Sequence, residues 1–86
     1  MNNALDIAMN RMLTITLNAD NYLIKWAGDA LAYYINSGRA PTPWVKAFSR
    51  ANTRDLLEYM AAGKDHSDKA MIHRADTYIR KHHRII

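Results

Sequence analysis

The chain has 86 residues, 49% of them hydrophobic; it contains no cysteine, and its 12 Lys and Arg outnumber its 8 Asp and Glu. This length allows one hydrophobic core but not two, so a single domain is expected. The lack of cysteine excludes disulfides and zinc sites with thiolate ligands, and it is typical of proteins in a reducing compartment, so we expect a cytoplasmic protein.

No segment has the pattern of a membrane or export sequence. The longest uninterrupted apolar run covers residues 30–35, far short of the ~20 residues that a membrane-spanning helix needs. Near the N-terminus, Asp6, Asn10 and Arg11 interrupt the apolar stretch that a secretory signal would require. We therefore expect neither export nor membrane insertion, and no membrane partner. A helix lying on anionic lipid is the least favoured alternative, because the terminal Ile85 and Ile86 offer little area for anchoring.

The first part of the chain has the residue spacing of a helix. Asn3 and Asp6 resemble an N-terminal capping arrangement. The apolar residues that follow recur every three or four positions, as on one face of a helix: Leu5, Ala8, Met9, Met12 and Leu13. The pattern predicts a first helix over about 4–13. The next four residues, TITL, are rich in β-branched side chains and are compatible with an extended connection or with continuation of the helix.

A second helix is predicted over about 20–36, capped by Asn18 or Asp20 and ended by Gly38 in a left-handed conformation. Its apolar side chains cover more than half of the helix circumference. A helix of this kind lies in the middle of a bundle or forms an interface with a partner.

Two prolines and a polar segment delimit the remaining helices. A third helix is expected to begin at Pro43 with Thr42 as its cap, and to break near Asn52 and Thr53, where its apolar face would otherwise become polar. A last helix is predicted over about 67–83, capped by Asp65 or Ser67. Together these elements predict an all-α fold, a compact bundle of four to five helices.

No motif indicates catalysis, a cofactor or a metal. The DHSD sequence at 65–68 contains an acid, a base and a hydroxyl group, but neighbouring residues in a turn point in different directions, and helix capping explains them better. None of the four histidines has a second histidine four residues away, which is the spacing of a metal pair on a helix. We expect a protein that is not an enzyme.

Positive charge is concentrated in the second half of the chain. Residues 44–86 hold nine Lys and Arg against five Asp and Glu, whereas residues 1–43 hold three of each sign. The predicted basic residues form one row on the third helix and one on the last: Lys46, Arg50, Arg54, and Lys69, His73, Arg74, Arg80, Lys81, Arg84. If both rows face the same way, they would bind the phosphates of DNA or RNA without sequence specificity.

A different interpretation of these rows is ordinary solvated charge, because helix surfaces are usually polar. Arg54 can pair with Glu58, and Arg80 can pair with Asp76, each at a spacing of four residues. Such pairs would neutralise part of the positive surface.

Aromatic side chains support an alternative function. Tyr22, Trp26 and Tyr33 form a stripe on the second helix, and Trp44 follows the proline turn. Tyr, Trp and Arg are the residues that dominate binding hot spots. The alternative is thus a small inhibitor or adaptor, of the kind that mobile elements encode, that docks on an acidic surface of a partner protein or on a second copy of itself.

Overall fold

The computed structural model describes residues 3–84, which form five α-helices and no strand. The helices are α1 (Ala4–Asn18), α2 (Tyr22–Asn36), α3 (Thr42–Arg50), α4 (Thr53–Ala61) and α5 (Asp68–His83). The prediction of an all-α bundle is confirmed. Within residues 3–84, no helix combines the length and the apolar character needed to cross a membrane.

Helix α1 is longer than the sequence pattern predicts. It begins as expected, with the Asn3 side chain accepting a hydrogen bond of 2.8 Å from the Asp6 N–H. The TITL segment is helical, so the second of the two alternatives holds and the helix continues past residue 13 to Asn18. Thr16 is buried, and its hydroxyl donates to the Leu13 carbonyl at 2.9 Å. A hydroxyl that bonds to its own helix satisfies its polar atom without leaving the helical conformation.

Helices α1 and α2 approach each other closely at Thr16 and Gly28. A Cβ atom placed on Gly28 would lie 1.9 Å from the Thr16 Cγ2. Only glycine therefore fits at this point of α2. The cap of α2 is Asn21, whose side chain accepts from the Leu23 N–H at 2.9 Å, so the predicted caps at Asn18 and Asp20 are wrong. Gly38 has a φ of 76°, which confirms the left-handed end of α2.

The predicted break between the third and fourth helices is confirmed. α3 ends at Arg50, and α4 begins at Thr53 with the Asn52 side chain accepting from the Asp55 N–H at 3.1 Å. The start of α3 differs by one residue, because Pro41 rather than Thr42 occupies the cap position. At the other end, Ser67 caps α5 as predicted, accepting from the Ala70 N–H at 3.3 Å.

All five helices contribute to one core. Its largest fully buried side chains are Trp44, Phe48, Met12, Leu31, Leu56, Leu57, Met60, Met71 and Ile79. The Trp44 ring stacks on Phe48 at a centroid distance of 5.9 Å and meets the Tyr34 ring edge-on at 5.4 Å. Trp44 has no exposed surface. Its assignment to a protein interface is therefore corrected, since the indole stabilises the core and cannot reach a partner.

Candidate functional site

The most unusual surface of the protein is a row of exposed aromatic rings on α2. Tyr22, Trp26 and Tyr33 are 60%, 50% and 76% exposed. Their spacing of four and seven residues places them on one side of the helix, while Ala27 and Leu31 on the other side are buried. We call these three residues the aromatic face. It corresponds to the stripe predicted from the sequence, without Trp44.

Two of these rings hold each other in place. Tyr22 and Trp26 meet edge-to-face with their ring centroids 5.0 Å apart and their planes at 76°. This arrangement is favourable for aromatic pairs and restricts the rotation of both side chains. A partner would therefore meet a largely preformed surface.

A groove of about 220 Å³ lies beside Tyr33, between the end of α2 and the start of α5. Its polar rim contains two cations, Arg39 and Lys69, and one carboxylate, Asp68; Tyr34 and Ile72 are among its apolar lining residues. The groove is thus apolar at its base and has an excess of positive charge at its edge. Arg39 was not singled out in the sequence, where it is an isolated cation after Gly38.

The predicted basic row on the third helix is interrupted. It required one continuous helix, but the chain turns between α3 and α4. Arg54 lies on the α2 side of α4, in a groove with Asn21 and Ile24. Its Nε atom is 3.8 Å from the Glu58 carboxylate, so the predicted pair is present. Arg54 therefore does not extend the face formed by Lys46 and Arg50.

The Arg74 side chain forms hydrogen bonds with the backbone of the α4–α5 connection. Its Nε donates a 2.8 Å hydrogen bond to the Met60 carbonyl, and its Nη2 donates to the Asp65 carbonyl. The guanidinium also lies directly over Gly63, where a Cβ would approach it to 2.3 Å. These contacts connect α5 to the end of α4, so the Arg74 guanidinium already has partners within the protein, and its contact with nucleic acid stays a prediction.

Two further basic residues lie close to carboxylates. Arg80 forms the predicted pair with Asp76, with its Nε 2.9 Å from a carboxylate oxygen. Lys81 lines a groove that also contains Asp55 and Glu58 of α4. The positive charge of Arg80 is therefore partly neutralised, and Lys81 faces a groove that also contains two carboxylates.

The remaining basic residues lie at two places. Lys69 and His73 line a shallow pocket with Asp65 at the start of α5. Lys46 and Arg50 are exposed one turn apart on α3, and α3 packs against α5. At the far end of α5, burial, followed by the charges of Arg50 and His82, lowers the pKa of His83. The charge of Arg50 therefore reaches His83 between the packed helices α3 and α5, a relationship that the sequence pattern did not reveal.

Residues 3–84 contain no cluster of three or more His, Cys, Asp or Glu side chains that could hold a metal ion. No protein-family model, curated protein or solved structure matches this chain.

Proposed function

We propose that this protein is a non-enzymatic binding domain that docks on a partner protein through the aromatic face of α2. The observation on which this depends is the exposure of Tyr22, Trp26 and Tyr33 on one side of a helix whose opposite side is core. Large aromatic side chains that stay in water are unfavourable for an isolated protein, and they are the residue types found at binding hot spots.

The contact between Tyr22 and Trp26 also reduces the side-chain entropy that binding would cost. Binding requires interface side chains to lose rotational freedom, at about 0.5–1.5 kcal/mol for each flexible side chain. Tyr22 and Trp26 already restrain each other by their edge-to-face contact. Less freedom is then lost when a partner covers them.

The partner surface is expected to be acidic and to present an apolar side chain. Arg39 and Lys69 at the rim of the groove beside Tyr33 outnumber its single carboxylate, Asp68. The protein as a whole has a formal net charge of +4, which would speed its approach to a negative surface. Salt should therefore slow association more than it accelerates dissociation.

The test is capture of partners from a native lysate treated with nuclease, using Trp26→Ala and Tyr33→Ala variants. The matched control is Leu17→Ala, since Leu17 is 80% exposed but lies on α1. We expect the two α2 variants to lose about tenfold or more in affinity, as for typical hot-spot residues. The control should bind like the unmodified protein, and all three should keep the helical circular dichroism signal.

Equal capture by the unmodified protein and both α2 variants would refute the proposal. Analytical ultracentrifugation separates a further outcome. If the protein forms a dimer that Trp26→Ala dissociates, the aromatic face binds a second copy of the chain rather than another protein.

A further inference from the structure

Helices α3 and α5 pack against each other, and both end near the start of α4. Lys81 and His82 in the last turn of α5 line a groove with Asp55, and α3 ends two residues before Asn52, the cap of α4. Arg50 is the last residue of α3 and His83 is the last residue of α5. The two side chains are close enough for the charge of Arg50 to disfavour protonation of His83, which lowers its pKa in addition to the larger effect of burial. Arg84 follows directly and adopts a left-handed conformation with a φ of 54°.

Cations accumulate at the ends of these two helices for a physical reason. The C-terminal end of an α-helix has a partial negative charge from its unpaired carbonyl groups, so cations are stabilised there. Four residues form what we call the basic end: Lys46, Arg50, His83 and Arg84. Lys46 belongs to it because it lies one turn before Arg50 on the same exposed side of α3.

No residue of the basic end forms an ion pair in the part of the chain that the structure describes. Among residues 3–84, the two ion pairs are Arg54–Glu58 and Asp76–Arg80. Neither pair includes Lys46, Arg50 or Arg84. The groups that act on His83 are likewise cationic or neutral, namely Arg50 and His82. Neighbouring positive groups without carboxylates repel one another, and a bound anion would relieve that repulsion.

The side chains around the basic end favour a nucleic acid over an acidic protein as the polyanion that binds there. The exposed large hydrophobic side chains of residues 3–84 lie on α1, α2 and α4, and none lies on α3 or α5. A protein interface normally has apolar or aromatic anchors at its centre. Binding of a nucleic acid without sequence specificity needs only cations placed to meet backbone phosphates.

We infer that the basic end is a phosphate-binding surface for nucleic acid, separate from the aromatic face and independent of it. Lys46, Arg50 and Arg84 would each meet a backbone phosphate, and no base would be read. With three contacts the binding is expected to be weak and strongly dependent on salt. This surface is smaller than the nine-residue set predicted from the sequence.

The experiment measures fluorescence anisotropy of labelled single-stranded RNA, single-stranded DNA and duplex DNA at about 50 and about 200 mM salt. The test variant combines Lys46→Ala, Arg50→Ala and Arg84→Ala. The control removes the same number of charges from exposed positions elsewhere, through Arg11→Ala, Lys25→Ala and Lys64→Ala. Both variants therefore have the same net charge, so only the location of the charges differs.

We expect the unmodified protein and the control to bind similarly, and the test variant to bind at least about tenfold more weakly. The slope of log affinity against log salt should become shallower by about 0.9 for each lost contact with duplex DNA. A third variant, with Lys46→Arg, Arg50→Lys and Arg84→Lys, keeps the charges and should retain binding. Retention would show that positive charge at these positions carries the binding, and an unchanged helical circular dichroism signal in the test variant would exclude damage to its fold.

Three results would overturn the inference. The first is no binding to any of the nucleic acids at low salt. The second is an equal loss of affinity in the test and control variants, which would indicate attraction by net charge alone. The third is displacement of nucleic acid by polyglutamate at equal charge concentration, which would assign the basic end to an acidic protein. None of these results bears on the aromatic face, whose residues are unchanged in every variant.

Discussion

The guanidinium group of Arg74 donates a 2.8 Å hydrogen bond to the carbonyl of Met60, fourteen residues earlier in the chain. Met60 lies in the last turn of α4, where carbonyl groups lack partners within their own helix. A second bond from Arg74 to the Asp65 carbonyl holds the connection to α5. One side chain thus closes the end of one helix and shapes the loop to the next.

Replacement of Arg74 by alanine should therefore destabilise the protein. Hydrogen bonds that involve a charged group contribute about 1.5–3 kcal/mol each, and here two carbonyl groups lose a donor, so the free energy of unfolding should fall by about 2 kcal/mol or more. Urea denaturation monitored by circular dichroism measures the change. Arg80→Ala is the control, because its exposed pair with Asp76 should contribute less than about 1 kcal/mol. Equal effects of the two substitutions would contradict the role assigned to Arg74.

The contact between Gly28 and Thr16 supports a second prediction. Gly28→Ala would place a methyl group 1.9 Å from the Thr16 Cγ2, so α1 and α2 would have to separate. Overpacking of this kind typically costs about 1–3 kcal/mol, although alanine is the better helix former. Thermal or urea unfolding should show the loss.

The same contact provides its own control. Thr16→Ser removes the Cγ2 atom but keeps the hydroxyl that donates to Leu13. The combination of Gly28→Ala with Thr16→Ser should therefore recover most of the lost stability. If the double variant is as unstable as Gly28→Ala alone, the close approach of the two helices is not the cause.

These two contacts also show why the sequence predicted some elements better than others. The break before α4 was predictable because a continuous helix would have placed Asn52 and Asp55 on an apolar face. The continuation of α1 to Asn18 was not, because the β-branched residues after Leu13 fit a strand equally well. Burial of Thr16 against Gly28, a contact between two helices, favours the helix.

The sequence likewise predicted only part of the candidate site. Periodicity places Tyr22, Trp26 and Tyr33 together on one side of α2, and the structure does so as well. Helical periodicity does not show which side of a helix another helix covers. Trp44 was therefore predicted to belong to the interface, although it is buried. In the same way, the helical pattern places Arg74 near the polar side of α5, but its contact with Met60 depends on tertiary packing.

A third prediction concerns Thr53, the first residue of α4. Its side chain is buried, and its hydroxyl oxygen has no hydrogen-bond partner among residues 3–84. Burial of an unpaired hydroxyl is unfavourable by about 1–3 kcal/mol. Thr53→Val has nearly the same shape and removes the unpaired group, so the free energy of unfolding should stay the same or rise by about 1 kcal/mol.

Urea denaturation of Thr53→Val and Thr53→Ser tests this expectation. Thr53→Ser keeps the hydroxyl and removes a buried methyl group, so it should lower stability by about 1 kcal/mol. A clear loss of stability in Thr53→Val would mean that the hydroxyl has a partner in solution.

A final prediction follows from the environment of His83, whose pKa is lowered first by burial and then by the nearby charges of Arg50 and His82. Removal of the Arg50 charge in Arg50→Ala should raise the pKa of His83 part of the way towards its ordinary value, because the larger effect of burial remains. An NMR titration of the imidazole ring measures the shift, and Arg54→Ala should leave it unchanged, since Arg54 lies on the α2 side of α4.

The lowered pKa of His83 also makes the free energy of unfolding depend on pH. Below the ordinary histidine pKa of about 6.5, the unfolded chain binds a proton at this position more readily than the folded protein does. The contribution of His83 to stability is thus fully present above that pH and is lost as the pH falls through its lowered folded-state pKa. Arg50→Ala should weaken this acid sensitivity, and an unchanged His83 titration in that variant would show that the two side chains are not neighbours in solution.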